Sequence, residues 1–145
     1  MPPQCYGAYG RILEAEFDGT RLALVNRGVI DVVAHVRGGS EKGQEWYQQA
    51  RFAGNPKTFQ DFIDVAKYLC TEGFNSPGKI VASGGSAGGL LMGAVANMAP
   101  PKVFAGIIAT VPLVDALAIW MILLLFHSRK ETNWETLLRP RTPTV

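Results

Sequence analysis

A chain of 145 residues, 48% hydrophobic and 18% charged, is long enough to bury about two thirds of the surface its unfolded form exposes, and its composition is that of a globular domain rather than a disordered segment. Its net charge of +2 comes with no basic run, which excludes a nucleic-acid binder. The most apolar stretch, Ala116 to Phe126, has 11 residues where a membrane span needs roughly 18, and the opening MPPQCYGAYG lacks the basic and apolar regions of a secretory signal, so a cytoplasmic protein without membrane contact is expected.

In chain order, QCYGAYG reads as the end of an element followed by a turn. Thr20 to Arg27 is expected to form a short helix closed by Gly28. VIDVVAHV, 29–36, is β-branched and runs into RGGSEKG, the pattern of a buried strand ending in a glycine loop. NPKTFQDFIDVAKYLCTEG, 55–73, places Asn55 as N-cap, Pro56 at the first helical position and Gly73 as the stop, with Phe59, Phe62, Ile63, Ala66, Leu69 and Cys70 at helical spacing. KIVASG then predicts a strand, SAGGLLMGAVANMA a helix, and GIIATVP, 106–112, a third apolar strand. Strands alternating with helices imply an α/β fold, mainly a parallel sheet joined by right-handed crossovers with helices on both faces. The two cysteines, Cys5 and Cys70, lack the CxxC or histidine-rich setting of metal or redox sites and read as small buried hydrophobes. No cofactor or metal is expected.

Gly84-Gly85-Ser86-Ala87-Gly88 satisfies G-x-S-x-G and lies between a predicted strand and a predicted helix, where a nucleophile elbow is built. In such an elbow the serine backbone is strained, and the flanking glycines are needed because a Cβ would strike the neighbouring strand or helix. Ala87, the residue after the serine, then offers its backbone N–H to an oxyanion at the start of a helix. A glycine-rich turn that only packs, or that holds a phosphate, is the competing reading. No Gly-Lys-Ser/Thr follows, and a dinucleotide fingerprint fits poorly.

YGAYG, RGVIDVVAHVRGGSEKGQEWY, TFQDFIDVAKYL, GFNSPGKIVASGGSAGGLLMGAVANM and VPLVDAL, in this order, resemble the catalytic domain of the prolyl oligopeptidase family of serine peptidases over about residues 4 to 117. Within the family the likeness is to the oligopeptidase B branch, which cleaves short peptides after Arg or Lys. The resemblance implies a partial α/β-hydrolase domain over 1–117, with Ser86 as the nucleophile of an acyl-enzyme mechanism. It implies Ala87 as the backbone oxyanion donor and Tyr6 as the second donor, through its hydroxyl; a phenol O–H suits that role because it can donate to a developing alkoxide. Glu14 and Glu16 match paired acidic residues that favour basic side chains, so short basic peptides are the implied substrates; a solvated acidic turn is the alternative. Arg37 and Glu41 are expected to form an ion pair in the glycine loop, and Trp46, Tyr47, Phe59 and Phe62 to be core or cleft wall.

The partners of the serine are harder to place. An α/β-hydrolase triad runs Ser, then Asp or Glu, then His, and in the resembled family the last two lie beyond the residues matched here. The only histidines are His35, read as a structural residue at a strand end, and His127 in the tail. Residues 118–145 depart from the family pattern, and IWMI and NWETL have codings in which a shifted frame restores family-like residues, so a frame-shifted tail is expected there. The family's β-propeller has no counterpart in this sequence. The expectation is therefore a chain without the triad Asp and His, inactive alone, with unpaired sheet edges that a complementing chain would cover. A non-catalytic fragment that acts by docking, and an α/β-hydrolase esterase, remain as alternatives.

Overall fold

Asp18 opens the first helix of the chain: its Oδ1 accepts the Thr20 N–H at 2.9 Å and so satisfies one of the free donors of α1 (Gly19–Val25). Gly28, at φ +80°, follows as the expected stop. These features belong to the computed structural model of the protein, which describes residues 5–115. The chain divides into two units, Met1–Val114 and Asp115–Val145; the first is described below, while the expected tail, 118–145, and His127 lie outside the described residues.

The stretch 29–36, expected as a strand, forms no ladder among the described residues. Its second half keeps the alternation of a strand, with Ala34 and Val36 buried on either side of exposed His35. After the glycine loop come a single helical turn and a half, α2 (Gln44–Gln48), and the longer α3 (Pro56–Thr71). Pro56 occupies the first turn, where its missing N–H has no intrahelical partner to lose, and Gly73 at φ +76° closes the end. Thr58, Phe62, Ile63 and Ala66 are the buried face of α3.

β1 (Ile80–Gly85), α4 (Ala87–Met98) and β2 (Phe104–Thr110) form one strand–helix–strand unit. β1 and β2 pair in parallel, from Ile80 opposite Phe104 to Gly85 opposite Thr110, with one register shift between Ile80 and Val81. Beyond β1, Cys5 makes an isolated parallel bridge to Gly84, so the chain just before Tyr6 lies alongside the strand that ends in the elbow. α4 packs over both strands and α3 packs against α4. Leu91, Met92 and Val95 of α4 meet Ile63, Phe62, Val36, Ala82 and Cys5 in one core, each large side chain contributing about 1.5–3 kcal/mol by its burial. Phe62 stacks on Phe104 at 6.0 Å between centroids and ties α3 to the start of β2. The parallel α/β arrangement is thus as the alternation of elements predicts. Exposed Val81, Ile108, Val111 and Val114 leave apolar surface along the strands and just past them.

Candidate active site

Ser86 stands between the last residue of β1 and the first of α4 with φ 54° and ψ −115°. A non-glycine residue with positive φ costs on the order of 1–3 kcal/mol and persists only when its surroundings over-determine it. Here they do. The Ser86 N–H donates to the Thr110 carbonyl at 3.0 Å, and its carbonyl accepts from Gly89 at 2.9 Å, Leu90 at 3.2 Å and Leu113 at 3.4 Å. The residue is exposed, at the C-terminal end of a parallel strand, which is where open α/β sheets place their ligands.

The flanking glycines meet the steric condition. A Cβ on Gly84 would strike the Gly88 carbonyl, and a Cβ on Gly88 would strike the Cys5 carbonyl. Gly85 carries no such requirement, since its nearest neighbours, Thr110 O and Cβ, would be 3.6 and 3.9 Å from an added Cβ, and its φ is not positive. Gly89, outside the motif, is tighter, with Pro112 Cα at 2.6 Å from such a Cβ. No carbonyl among the described residues takes the Ala87 N–H, and α4 aligns its peptide dipoles behind that donor.

The Cys5 bridge to Gly84 carries Tyr6 to the same end of β1. Tyr6 and Ala87 both line a cleft of about 240 Å³, together with Tyr9, Tyr47, Phe59 and Leu113. The Tyr6 ring is half-buried, 6.4 Å from the Tyr9 ring and 5.0 Å from the Arg11 guanidinium. Its segment is held by the glycine loop: the Gly10 N–H donates to the Gly38 carbonyl at 2.9 Å, and Gly38, at φ +101°, packs so closely that a Cβ there would strike the Gly7 carbonyl.

The glycine loop corrects one expectation. Arg37 does not pair with Glu41; it pairs with Asp61 of α3, which accepts from the Arg37 backbone N–H at 3.0 Å, from Nε at 2.8 Å and from Nη2 at 2.5 Å. The helix presents Asp61 to both the guanidinium fork and the backbone, a geometry that an i, i+4 partner inside a glycine turn cannot match. The Asp61 hydrogen bond holds the Arg37 guanidinium above its ordinary pKa range. Glu41 turns the other way, where its Oε1 accepts the Leu13 N–H at 3.2 Å and its buried Oε2 has no hydrogen-bond partner. Burial, and then the nearby Glu41 charge, push the Cys5 thiol from 9.0 up to about 12.

Glu14 and Glu16 are exposed and do not line the cleft. His35 is exposed, and its Nε2–H donates to the Leu13 carbonyl at 2.8 Å, which is the structural role read from its position. Tyr47 and Phe59 are cleft wall and Phe62 is core. Trp46 lies under the Lys42 ammonium at 4.6 Å. Among the described residues no three His, Cys, Asp or Glu side chains gather as a metal site, and no helix is long and apolar enough to cross a membrane. Sequence reasoning missed Asp61, Thr110, Leu113, Arg51 and Phe52. The first three act through contacts with residues distant in the chain, and the last two follow no recognisable motif.

The prolyl oligopeptidase family model matches residues 15–138. The chain is 47% identical over 115 residues to dipeptidyl aminopeptidase BI of Pseudoxanthomonas mexicana, a match that takes in 79% of this chain and 16% of that protein. It is 49% identical over 110 residues to protease 2 of Moraxella lacunata, taking in 76% and 16% of the two chains. Oligopeptidase B from Trypanosoma brucei, solved in a closed form with covalently bound antipain, superposes with a TM-score of 0.73 at 42% identity, over 80% of this chain and 17% of that one. The chain therefore spans about a sixth of the length of these relatives.

Proposed function

This chain belongs to the prolyl oligopeptidase family, and from that premise we propose that it carries the nucleophile and oxyanion part of a serine-peptidase site. Ser86 attacks the scissile carbonyl to form an acyl-enzyme, and the Ala87 N–H and the Tyr6 hydroxyl stabilise the alkoxide that develops. The observation that supports this reading best is the strained backbone of Ser86, fixed by four hydrogen bonds directly before Ala87, which shares a cleft with Tyr6. An O–H and an N–H donor from residues that line one cleft, the second on the residue after the serine, suit acyl transfer; a phosphate loop would need several free backbone N–H groups instead.

Short peptides cut after Arg or Lys are the proposed substrates, with Glu14 and Glu16 drawing the basic side chain by charge from outside the cleft wall. A serine hydroxyl without a base is a weak nucleophile at neutral pH, and His35 is committed to Leu13. The general base and its carboxylate are not among the described residues, and the chain by itself is proposed to react slowly.

A fluorophosphonate probe tests the assignment. Slow labelling that maps to Ser86, disappears in Ser86→Ala and falls in Tyr6→Phe is expected. Equal labelling of the parent and Ser86→Ala chains would remove Ser86 as the nucleophile. Hydrolysis of arginyl peptides, prolyl peptides and simple esters, compared on any preparation that turns over, sorts the substrate class.

A further inference from the structure

We propose that Arg51 is a recognition residue for a peptide carboxylate, an inference that rests on the peptidase reading for its ligand class but not for its geometry. The cleft that Tyr6 and Ala87 line is walled by aromatic, aliphatic and small or polar neutral residues, and among the described residues Arg51 is the one charged side chain in that wall. Its guanidinium lies 4.7 Å from the centroid of Phe52 and 5.3 Å from that of Tyr47, both wall residues themselves. Nη1 donates to Gln48 Oε1 at 2.9 Å. No aspartate or glutamate among the described residues forms an ion pair with it, whereas Arg37 pairs with Asp61 and Arg21 with both Asp18 and Asp31.

The stacking is not incidental to the backbone. Phe52 is held at φ 49° with its side chain 84% exposed, inside the 3-10 turn Phe52–Gly54 that the Gly54 N–H closes on the Arg51 carbonyl at 2.8 Å. An exposed aromatic in a left-handed conformation is unfavourable twice over, and the turn sets its ring against the guanidinium. A guanidinium in contact with two rings and hydrogen-bonded to Gln48 has lost part of its rotamer freedom before any ligand arrives, and its fork retains N–H donors that Gln48 does not use. Planar, bidentate recognition of a carboxylate is what such a group does best, in a cleft where apolar walls strengthen the attraction. The same charge opposes a basic side chain in this cleft, which places any subsite for Arg or Lys elsewhere, consistent with Glu14 and Glu16 standing outside the wall. The carboxylate can belong to the C-terminus of the peptide or to an acidic side chain.

Binding of short peptides to the full chain, followed by calorimetry, tests the inference. One pair of peptides differs only as C-terminal acid or amide; a second pair, both amidated, differs only as Glu or Gln at one position. Tighter binding of the acid or of the Glu peptide, by roughly tenfold at low salt and shrinking at high salt, is expected. Arg51→Gln should erase the preference and Arg51→Lys should retain part of it, with melting curves confirming that both variants fold. A preference that survives Arg51→Gln, equal affinities in both pairs, or no binding of any peptide would overturn the proposal. Ser86 labelling is read separately: labelling without a carboxylate preference removes this site alone, and a carboxylate preference without labelling removes the peptidase reading alone.

Discussion

Residues 29–36 and β1 both open on β-branched residues and lead into a glycine-rich turn, yet they behave differently. β1 lies between β2 and the Cys5 bridge and leads directly into Ser86. The earlier run has no ladder among the described residues, exposes Val29 and Ile30, and is secured at its far end by side chains, through Asp61 on Arg37. Ladder membership is a property of what lies alongside a segment, and the segment's own composition does not contain it. Burial follows a different line again: Val36 of the unladdered run is 1% exposed while Val81 inside β1 is 50% exposed.

The sharpest way to break the paired region is at its closest approach. Gly88→Ala, whose Cβ would strike the Cys5 carbonyl, is expected to destabilise by about 2–4 kcal/mol despite the better helix propensity of alanine, while Gly85→Ala, with ordinary neighbours, should stay within about 1 kcal/mol. Urea unfolding of the two variants measures the contrast. Val36→Ala and Val81→Ala separate ladder from burial: a loss of about 1–3 kcal/mol at Val36 against about 0.5 kcal/mol at Val81 is expected, and the reverse order would show that the ladder matters more than the core. Asp61→Ala should cost about 1–2 kcal/mol, because three hydrogen bonds to a half-buried carboxylate are lost where an exposed pair would contribute little. It should also slow Ser86 labelling, since the Arg37 loop backs the segment that carries Tyr6.

The smallest effect at neutral pH concerns Cys5. Its pKa is raised in the fold to about 12 from 9.0, so it is a neutral thiol in both states below pH 9.0; above that pH the unfolded chain ionises first and stability is lost as pH climbs toward about 12. Thiol titration with a disulfide reagent at pH 8 should therefore modify partly exposed Cys70 and leave fully buried Cys5 untouched until denaturant is added.

Much of the fold was legible because its signals are local. Pro56 and Gly73 bound α3, although Asn55 before it has helical backbone angles and makes no side-chain cap bond, and the G-x-S-x-G spacing between an apolar run and a small-residue run located the elbow, with Gly84 and Gly88 already marked as the positions where a side chain would not fit. The Arg37–Glu41 pair was misread because proximity in sequence was taken for proximity of charge; α3 brings Asp61 to the guanidinium from 24 positions away. Arg51 and Phe52 carried no signal at all, since nothing in RFAGN announces that a positive φ will turn a phenyl ring onto a guanidinium.

Periodicity, caps and the elbow motif, all set by steric and hydrogen-bonding rules within a few residues, determined from sequence alone that this is a parallel α/β unit with a strained serine at a strand end. Only the tertiary structure decided that Cys5 lies alongside β1, that Tyr6 and Ala87 thereby face one cleft, and that Asp61 rather than Glu41 answers Arg37. Those outcomes depend on which distant backbones approach within hydrogen-bonding distance, and that is settled by the packing of the whole core around α4.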